Sequence, residues 1–343
     1  MVKKLFSFII PAHNCEKTIC DTIESIVMQT KEQKQDIEII VVSNGCTDNT
    51  DKTIKALQNK YNFIQLQHSA QGVSSARNKG IDVSTGEWLV FIDADDTFLP
   101  NGISIMRDAI CCSKPYDIYF FGHTSGKNTK LVTSDQSTSY ESSDQMADLR
   151  TMIIENPTKY LQVWAKIFRN SVVGDLRFDE RIAFSEDSDF VIRYILRCKT
   201  AILLRDVIYN YNIMNTSTMR CFDRKKLTGY INALTITYST IKLQDRRLQI
   251  AFINYILIHL NIVMVRELYS NLNPDSFKKK FKAMKEIAQS GIFSDAIKKY
   301  RVKNNGLSLY LLPGLLLKYH MYFLASILFN VRARQNEKKE VKK

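Results

Sequence analysis

Hydrophobic residues along the first hundred positions keep two alternating rhythms. Residues 5–10 (LFSFII) and 37–42 (IEIIVV) are short β-branched and aromatic runs. One is closed by Pro11 and the other by Ser43-Asn44-Gly45, as strands that end in loops are. Between them, across residues 16–29, Ile19, Ile23, Ile26 and Val27 recur at helical spacing. Thr47-Asp48-Asn49-Thr50 supplies capping residues for a second helix ahead of Ile54 and Leu57. Residues 63–66 predict a third strand, 74–83 a helix ending near Gly86, and 88–92 a fourth, wholly apolar strand. Strands and helices alternating at this interval predict an α/β unit with a largely parallel sheet.

Further on, residues 125–145 are polar and rich in Ser and Thr, and read as a loop or weak hairpin. A short helix is expected over 148–154. The apolar stretch VWAKIFR (163–169) follows, and then an acidic cluster, Ser185-Glu186-Asp187-Ser188-Asp189, ahead of the helix-like FVIRYILRC. Beyond residue 224 the pattern is helical throughout, with few turns before Asn271-Leu272-Asn273-Pro274. Residues 307–329 are nearly long enough to cross a bilayer. Pro313-Gly314 breaks that run, and Lys318 and His320 sit in its middle. Two short amphipathic helices lying in a membrane interface are therefore expected, with Arg332, Arg334, Lys338, Lys339, Lys342 and Lys343 meeting acidic headgroups. The alternative is a helical domain that packs this apolar face internally. There is no internal repeat.

Charge sharpens that picture. Residues 1–223 hold 25 Lys and Arg against 28 Asp and Glu, a net of −3. Residues 224–343 hold 23 against 7, a net of +16. All the basic excess thus lies in the last third, which implies an anionic surface as partner. A nucleic-acid binder would interleave its basic residues with stacking aromatics or place them on a reading helix. Here they flank apolar stretches, so no nucleic-acid partner is expected and an anionic membrane surface is. The same helices would serve a homodimer as readily.

Seven cysteines, an odd number without a CxxC, and five histidines apart from them argue against a disulfide framework or zinc site. Reduced thiols in the cytoplasm fit better. Lys3 and Lys4 precede the apolar run 5–10, but the run is short and Pro11-Ala12-His13-Asn14 follows it. A buried strand explains it better than a secretory leader.

The chemistry concentrates in two acidic motifs. Asp93, Asp95 and Asp96 follow directly on the fourth strand, at the strand end where open α/β sheets bind ligands. In extended backbone Asp93 and Asp95 face one way, an arrangement suited to a hard divalent cation carrying a diphosphate. The alternative is a solvated turn that caps a helix begun by Thr97-Phe98-Leu99-Pro100. Glu186-Asp187, taken alone, reads as a carboxylate pair capping the next helix.

Taken together, the segments FSFIIPAHNCEKTICDTIESIVMQT, IEIIVVSNGCTDNTDKTI, GVSSARNKGIDVSTGEWLVFIDADD and VWAKIFRN through FDERIAFSEDSDF to VIYNYNIMNTSTM resemble family 2 glycosyltransferases. They appear in the family's order and cover residues 5–220. The resemblance implies a GT-A fold, Rossmann-like and mostly parallel, over 1–220, followed by a helical, basic region over 221–343. It implies an inverting hexosyl- or N-acetylhexosaminyltransferase that uses a nucleotide-sugar, expected to be UDP-linked, and Mg²⁺ or Mn²⁺. The acceptor would be a lipid-linked or growing surface glycan such as capsule, O-antigen or teichoic acid, and the enzyme would work at the cytoplasmic face of the bacterial cell membrane.

By the same resemblance, Pro11, Ala12, His13, Asn14 and Glu16 form the nucleotide-binding loop, and Arg77 helps to hold the nucleotide. Asn44 stands where the family commonly has a base-reading aspartate, after Ser43 where it commonly has another. An amide both accepts and donates, so uracil remains compatible. Asp93-Ala94-Asp95 matches the DXD motif: Asp95 would bind the cation and Asp93 the ribose or the metal shell, leaving Asp96 to cap a helix. Glu186-Asp187 matches the ED motif, with Asp187 as general base and Glu186 supporting it. Trp164 matches an aromatic near the acceptor, for which sugar stacking and core packing stand as equal alternatives. Two rival readings stand against this one. A nucleotidyltransferase on a similar scaffold would need a Gly- and Lys/Arg-rich first loop, which PAHNCEKT is not; a basic nucleic-acid-binding protein is the other.

Overall fold

The computed structural model describes residues 4–30, 34–111, 115–125, 129–131, 135–212, 225–301 and 311–341. Residues 307–310 of the expected membrane segment and the last two lysines lie outside them. The chain divides into two compact units, the first comprising 1–150, 158–180 and 186–215 and the second 151–157, 181–185 and 216–343.

The first unit is built on a ten-stranded mixed sheet. Its N-terminal half alternates β1 (Phe6–Ala12), α1 (Ile19–Val27), β2 (Ile37–Ser43), α2 (Thr50–Lys60), β3 (Ile64–His68), α3 (Val73–Val83) and β4 (Trp88–Phe91). After these come β5 (Thr97–Phe98), α4 (Gly102–Cys111), β6 (Ile118–Ser125), β7 (Thr129–Leu131), β8 (Thr138–Tyr140), α5 (Ser143–Glu155) and α6 (Pro157–Tyr160). β9 (Lys166–Arg169), α7 (Asn170–Val173), α8 (Glu186–Arg197) and β10 (Ala201–Tyr211) complete it. The strand order is β3-β2-β1-β4-β9-β6-β10-β5, with β7 beside β6 and β8 beside β10. Strands β3, β2, β1 and β4 run parallel, and β9 enters antiparallel between β4 and β6.

Every side chain of β1, β2 and β4 is buried, which is why these strands are continuous apolar runs rather than alternating ones. One face packs Phe6, Phe8, Ile10, Ile39 and Val41 against Ile19, Ile23 and Ile26 of α1. On the other face, α3 sits so close to β1 that a Cβ at Gly80 would lie 2.4 Å from Ile9 Cγ2. Glycine therefore sets the approach of α3, and with it the position of Arg77.

Two sequence expectations fail around the acidic stretch. Residues 97–100 do not start a helix: 97–98 form β5, and α4 begins at Gly102. Nor is 93–96 extended, because the Asp96 N–H donates to the Asp93 carbonyl (3.1 Å) and closes a turn. The alternation argument for Asp93 and Asp95 thus does not apply, since a turn rather than a strand carries them.

The second unit is helical: α9 (Lys225–Ile241), α10 (Arg246–Val263), α11 (Phe277–Gln289), α12 (Gly291–Lys299), α13 (Leu312–Lys318) and α14 (Tyr322–Val341). Asp245 caps α10 by accepting from the Leu248 N–H (2.9 Å). Arg246–Leu268 is the one helical stretch among the described residues long and apolar enough to cross a membrane. Ala251, Phe252, Tyr255, Ile256 and Leu260 are buried in the unit, as in the central helix of a core. In α14, Ala325, Ser326, Phe329 and Ala333 are also buried, so this helix is part of the fold of its unit.

Candidate active site

The register of β1 with its neighbours sets Ala12 beside Ser43 and Ile9 beside Phe91. The loops leaving β1, β2 and β4 consequently emerge along one edge of the sheet. The first two are knitted together. The Ala12 carbonyl accepts from the Asn44 backbone N–H (3.0 Å) and from Asn44 Nδ2 (2.9 Å). Asn14, held at φ 49°, accepts from the Thr47 N–H (2.7 Å), and Glu16 accepts from the Asn49 N–H (2.8 Å). His13 is exposed with Nδ1 2.9 Å from the Asn44 carbonyl, while Pro11 and Ala12 are buried at the end of β1. Asn44 is buried, and Gly72 N–H donates to its Oδ1 (3.4 Å), so two of its hydrogen-bonding positions are committed to the loop itself.

In the acidic turn Asp93 and Asp95 are half-buried and Ala94 is buried, its carbonyl accepting from the Thr18 hydroxyl (2.8 Å). Asp96 does not cap a helix. It points inward, accepting from the Tyr209 hydroxyl (2.6 Å) and the Asn212 N–H (2.8 Å). Burial, reinforced by Asp93, pushes its carboxyl up to about 8 despite those two bonds.

One guanidinium joins the two acidic motifs. Arg77 is only 3% exposed. Its Nη2 donates to Asp93 (3.0 Å), and its Nη1 donates to Glu186 (3.0 Å) and Asp187 (2.6 Å). Its face lies 5.3 Å from the Phe178 ring centre, and its buried Nε has no hydrogen-bond partner. Arg77, expected beside the nucleotide, joins Asp93 to Glu186 and Asp187, which lie 109 and 110 residues beyond Arg77 in the chain.

Glu186 and Asp187 occupy the first turn of α8, where the helix dipole favours negative charge. Asp187 Oδ2 also accepts from the Val163 N–H (3.3 Å). That loop is tightly specified, since Ala165 is held at φ 53°, a left-handed conformation that costs a non-glycine residue about 1 kcal/mol. Burial pushes Asp187 up to about 7; Arg77 opposes the rise, and Glu186 and Asp93 add to it. Asp189, in the same acidic cluster, is buried against Arg193 (2.5 Å) and belongs to the helix packing.

Three residues acquire roles that sequence reasoning missed or left open. Trp164 is 9% exposed, its indole stacked on Tyr209 (4.9 Å) and Tyr211 (5.6 Å) with His123 edge-on. Its packing role is therefore the observed one. Tyr209 ties the aromatic stack to Asp96 and accepts from the Asp93 N–H (3.3 Å). Lys166 is buried 5.1 Å above the Phe120 ring centre, donating to the Trp164 carbonyl (3.4 Å), and burial lowers its ammonium to about 7, with Asp187 opposing. A lysine inside the apolar run VWAKIF was the one visible hint.

Asp93, Asp95, Asp96, Glu186 and Asp187 thus set five carboxylates against Arg77 and the weakened cation of Lys166. Burial, with the neighbouring carboxylates adding to it, raises the carboxyls of Asp96 and Asp187. Among the described residues no group of three His, Cys, Asp or Glu side chains is placed to hold a metal ion. A fully protein-made cage is therefore not what this site offers. Two half-buried aspartates at that edge would suit a divalent cation that takes its remaining ligands from outside the protein. Acidic turn, loop edge and half-buried carboxylate pair fit a GT-A-type glycosyltransferase site.

Comparison with known proteins agrees. Residues 7–173 match the model of glycosyl transferase family 2, which identifies that stretch as a domain of the family. The uncharacterized glycosyltransferase EpsJ of Bacillus subtilis is 28% identical over 214 residues, covering 60% of this chain and 60% of EpsJ. The poly(ribitol-phosphate) beta-N-acetylglucosaminyltransferase TarS of Staphylococcus aureus is 27% identical over 210 residues, 60% of this chain and 35% of TarS. The chain thus spans less than two thirds of the length of each of these two relatives. In fold, S. aureus TarS 1–349 in complex with UDP superposes with a TM-score of 0.67 at 17% identity, covering 97% of this chain and 92% of that one. The mannosyltransferase PcManGT of Pyrobaculum calidifontis in complex with GDP-Man and Mn²⁺ gives 0.54 at 12% identity, covering 96% and 88%.

Proposed function

We propose that this glycosyltransferase moves a sugar, with inversion, from a UDP-linked donor to a hydroxyl of a lipid-linked or growing surface glycan of the teichoic-acid kind, at the cytoplasmic face of the cell membrane. The observation that carries the mechanism is the Arg77 bridge, which brings the acidic turn after β4 and the head of α8 to a single guanidinium. Similarity to TarS, named for a poly(ribitol-phosphate) acceptor and an N-acetylglucosaminyl group, supports the donor and acceptor classes. The UDP complex of TarS, which shares the fold, supports the choice of base.

Asp95 and Asp93 would hold Mg²⁺ or Mn²⁺, which supplies charge to the departing diphosphate. Pro11 to Asn14 and Glu16 border the nucleotide, with Asn44 shaping their loop. Arg77 keeps Asp187 oriented and separate from Asp93. Both Asp187 oxygens have a second lone pair beyond the bonds from Arg77 and Val163. Asp187 takes the proton of the acceptor hydroxyl as that oxygen bonds to the anomeric carbon. The bond from that carbon to the diphosphate breaks and its electron pair leaves with UDP. A base near 7 is matched to the operating pH. A single displacement inverts the anomeric centre. The test is an assay of UDP-sugars with a poly(ribitol-phosphate) acceptor and NMR of the product linkage. Inverted product from the wild type and none from Asp187→Asn is expected; retained configuration would refute the single-displacement mechanism.

A further inference from the structure

Eleven large apolar side chains stand exposed on the described surface, and six lie within thirteen residues of one another. They are Tyr319, Met321, Phe323, Leu324, Ile327 and Val331, each 40–66% exposed. Phe323, Leu324, Ile327 and Val331 recur at helical spacing along α14 and form a stripe about 12 Å long at 1.5 Å per residue. The helix cannot roll to hide it, because Ala325, Ser326, Phe329 and Ala333 are buried on the opposite side.

Beside the stripe runs α11, docked through the Phe281–Phe323 ring contact (6.5 Å) and a hydrogen bond from Gln289 to the Tyr322 hydroxyl (3.0 Å). This helix carries five lysines against one glutamate. Lys278, Lys282 and Lys285 are exposed at positions i, i+4 and i+7, on one face, and the Lys285 ammonium lies 5.4 Å from the Tyr322 ring centre. A row of apolar side chains flanked by a row of lysines matches a surface that is greasy below and anionic above. An anionic polymer alone offers nothing for Phe323 and Ile327. A second copy of the chain would bring its own lysine row toward this one.

We infer that the α14 stripe and the α11 lysines form a docking face for an anionic lipid bilayer, the apolar side chains entering the headgroup boundary and the lysines meeting lipid phosphates. This deepens the membrane-face setting proposed above and gives it an address other than the chain terminus. Removal of the terminus is no test, because α14 supplies core side chains to its own unit.

The experiment is flotation of the full chain with vesicles of equal parts phosphatidylglycerol and phosphatidylcholine, and with phosphatidylcholine alone. Phe323→Ser/Ile327→Ser should weaken binding to the anionic vesicles at least about tenfold per side chain withdrawn from the interface. Lys282→Gln/Lys285→Gln should weaken it about fivefold per charge and flatten its salt dependence. Circular dichroism and melting confirm that each variant folds, and Leu324→Ser replaces Phe323→Ser if one does not. Equal binding to both vesicle types, or unaltered binding by both double variants, would overturn the assignment. So would a doubled solution mass that the Ser variants abolish, which would give the face to a second copy. Release of UDP from a UDP-sugar without vesicles should persist in every variant; its absence from the wild type would count against the proposed chemistry and leave the docking face standing.

Discussion

Replacing Arg77 by methionine tests whether one guanidinium holds the site together. The side chain is buried, and its removal leaves Asp93, Glu186 and Asp187 facing one another without their shared cation. Taking one partner from a buried ion pair costs about 3–5 kcal/mol, because the other charge is left uncompensated. Here protonation can relieve the penalty. Asp187 already has its folded carboxyl raised above the unfolded value, so its contribution is fully present below about pH 4 and is lost as pH rises through about 7. Without Arg77, which opposes that rise, the Asp187 carboxyl moves higher still. The stability gap between wild type and Arg77→Met should thus be small near pH 5 and approach 3–5 kcal/mol above about pH 8. In melting temperature, the loss at the higher pH is of the order of 10 °C for a unit of this size. Arg77→Lys should recover only part of it, because one ammonium cannot reproduce a planar fork shared by three acceptors. Thermal melts of the three proteins across this pH range are the assay. A pH-independent gap, or one below about 1 kcal/mol at every pH, would show that the carboxylates do not depend on Arg77, and the bridge argument would fail.

Other expectations follow from the same geometry. The transfer rate should rise with pH through about 7 as Asp187 gives up its proton, and Glu186→Gln should move that limb to lower pH by removing a neighbouring negative charge; a limb that Glu186→Gln leaves in place would argue against Asp187 as the titrating base. Tyr209→Phe deletes the hydroxyl that donates to Asp96 and accepts from the Asp93 N–H. It should cost about 1–3 kcal/mol of stability and weaken Mn²⁺-dependent nucleotide binding, both read by melting with and without Mn²⁺ and UDP.

Most of the N-terminal architecture was legible because buried parallel strands leave continuous apolar runs and the helices between them keep a clear period. Ile19, Ile23 and Ile26 are buried where the spacing put them, and the strands at 37 and 88 begin at the expected residues. The helix expected over 148–154 extends to Ser143–Glu155, since its polar first turns hide the period. At the site, motif resemblance singled out the acidic residues, but local pattern could not say how they meet. The Asp93–Asp96 turn, the inward Asp96 and the role of Tyr209 depend on contacts with a strand more than a hundred residues later. Arg77 illustrates the limit well: one exposed-looking charge in a helix of low apolar content is in fact buried between three carboxylates. The bonds of the Asn44 amide to Ala12 and Gly72 were likewise not legible in the sequence. The stripe on α14 was anticipated only as a generally apolar segment, because which side of a helix is covered is decided by tertiary packing.

The most direct test of the central claim, that the acidic turn and the α8 carboxylates form one metal-dependent nucleotide-sugar site, is a thermal-shift titration of UDP with and without Mn²⁺. A ligand that binds only the folded state adds about 2.7 kcal/mol at a hundredfold excess over Kd, a readily measured rise. The account predicts a rise with UDP and Mn²⁺ together in the wild type, its loss in Asp95→Ala, and its retention in Asp187→Asn. Stabilisation by UDP that is indifferent to Mn²⁺ and to Asp95, or no response to the nucleotide at all, would contradict it.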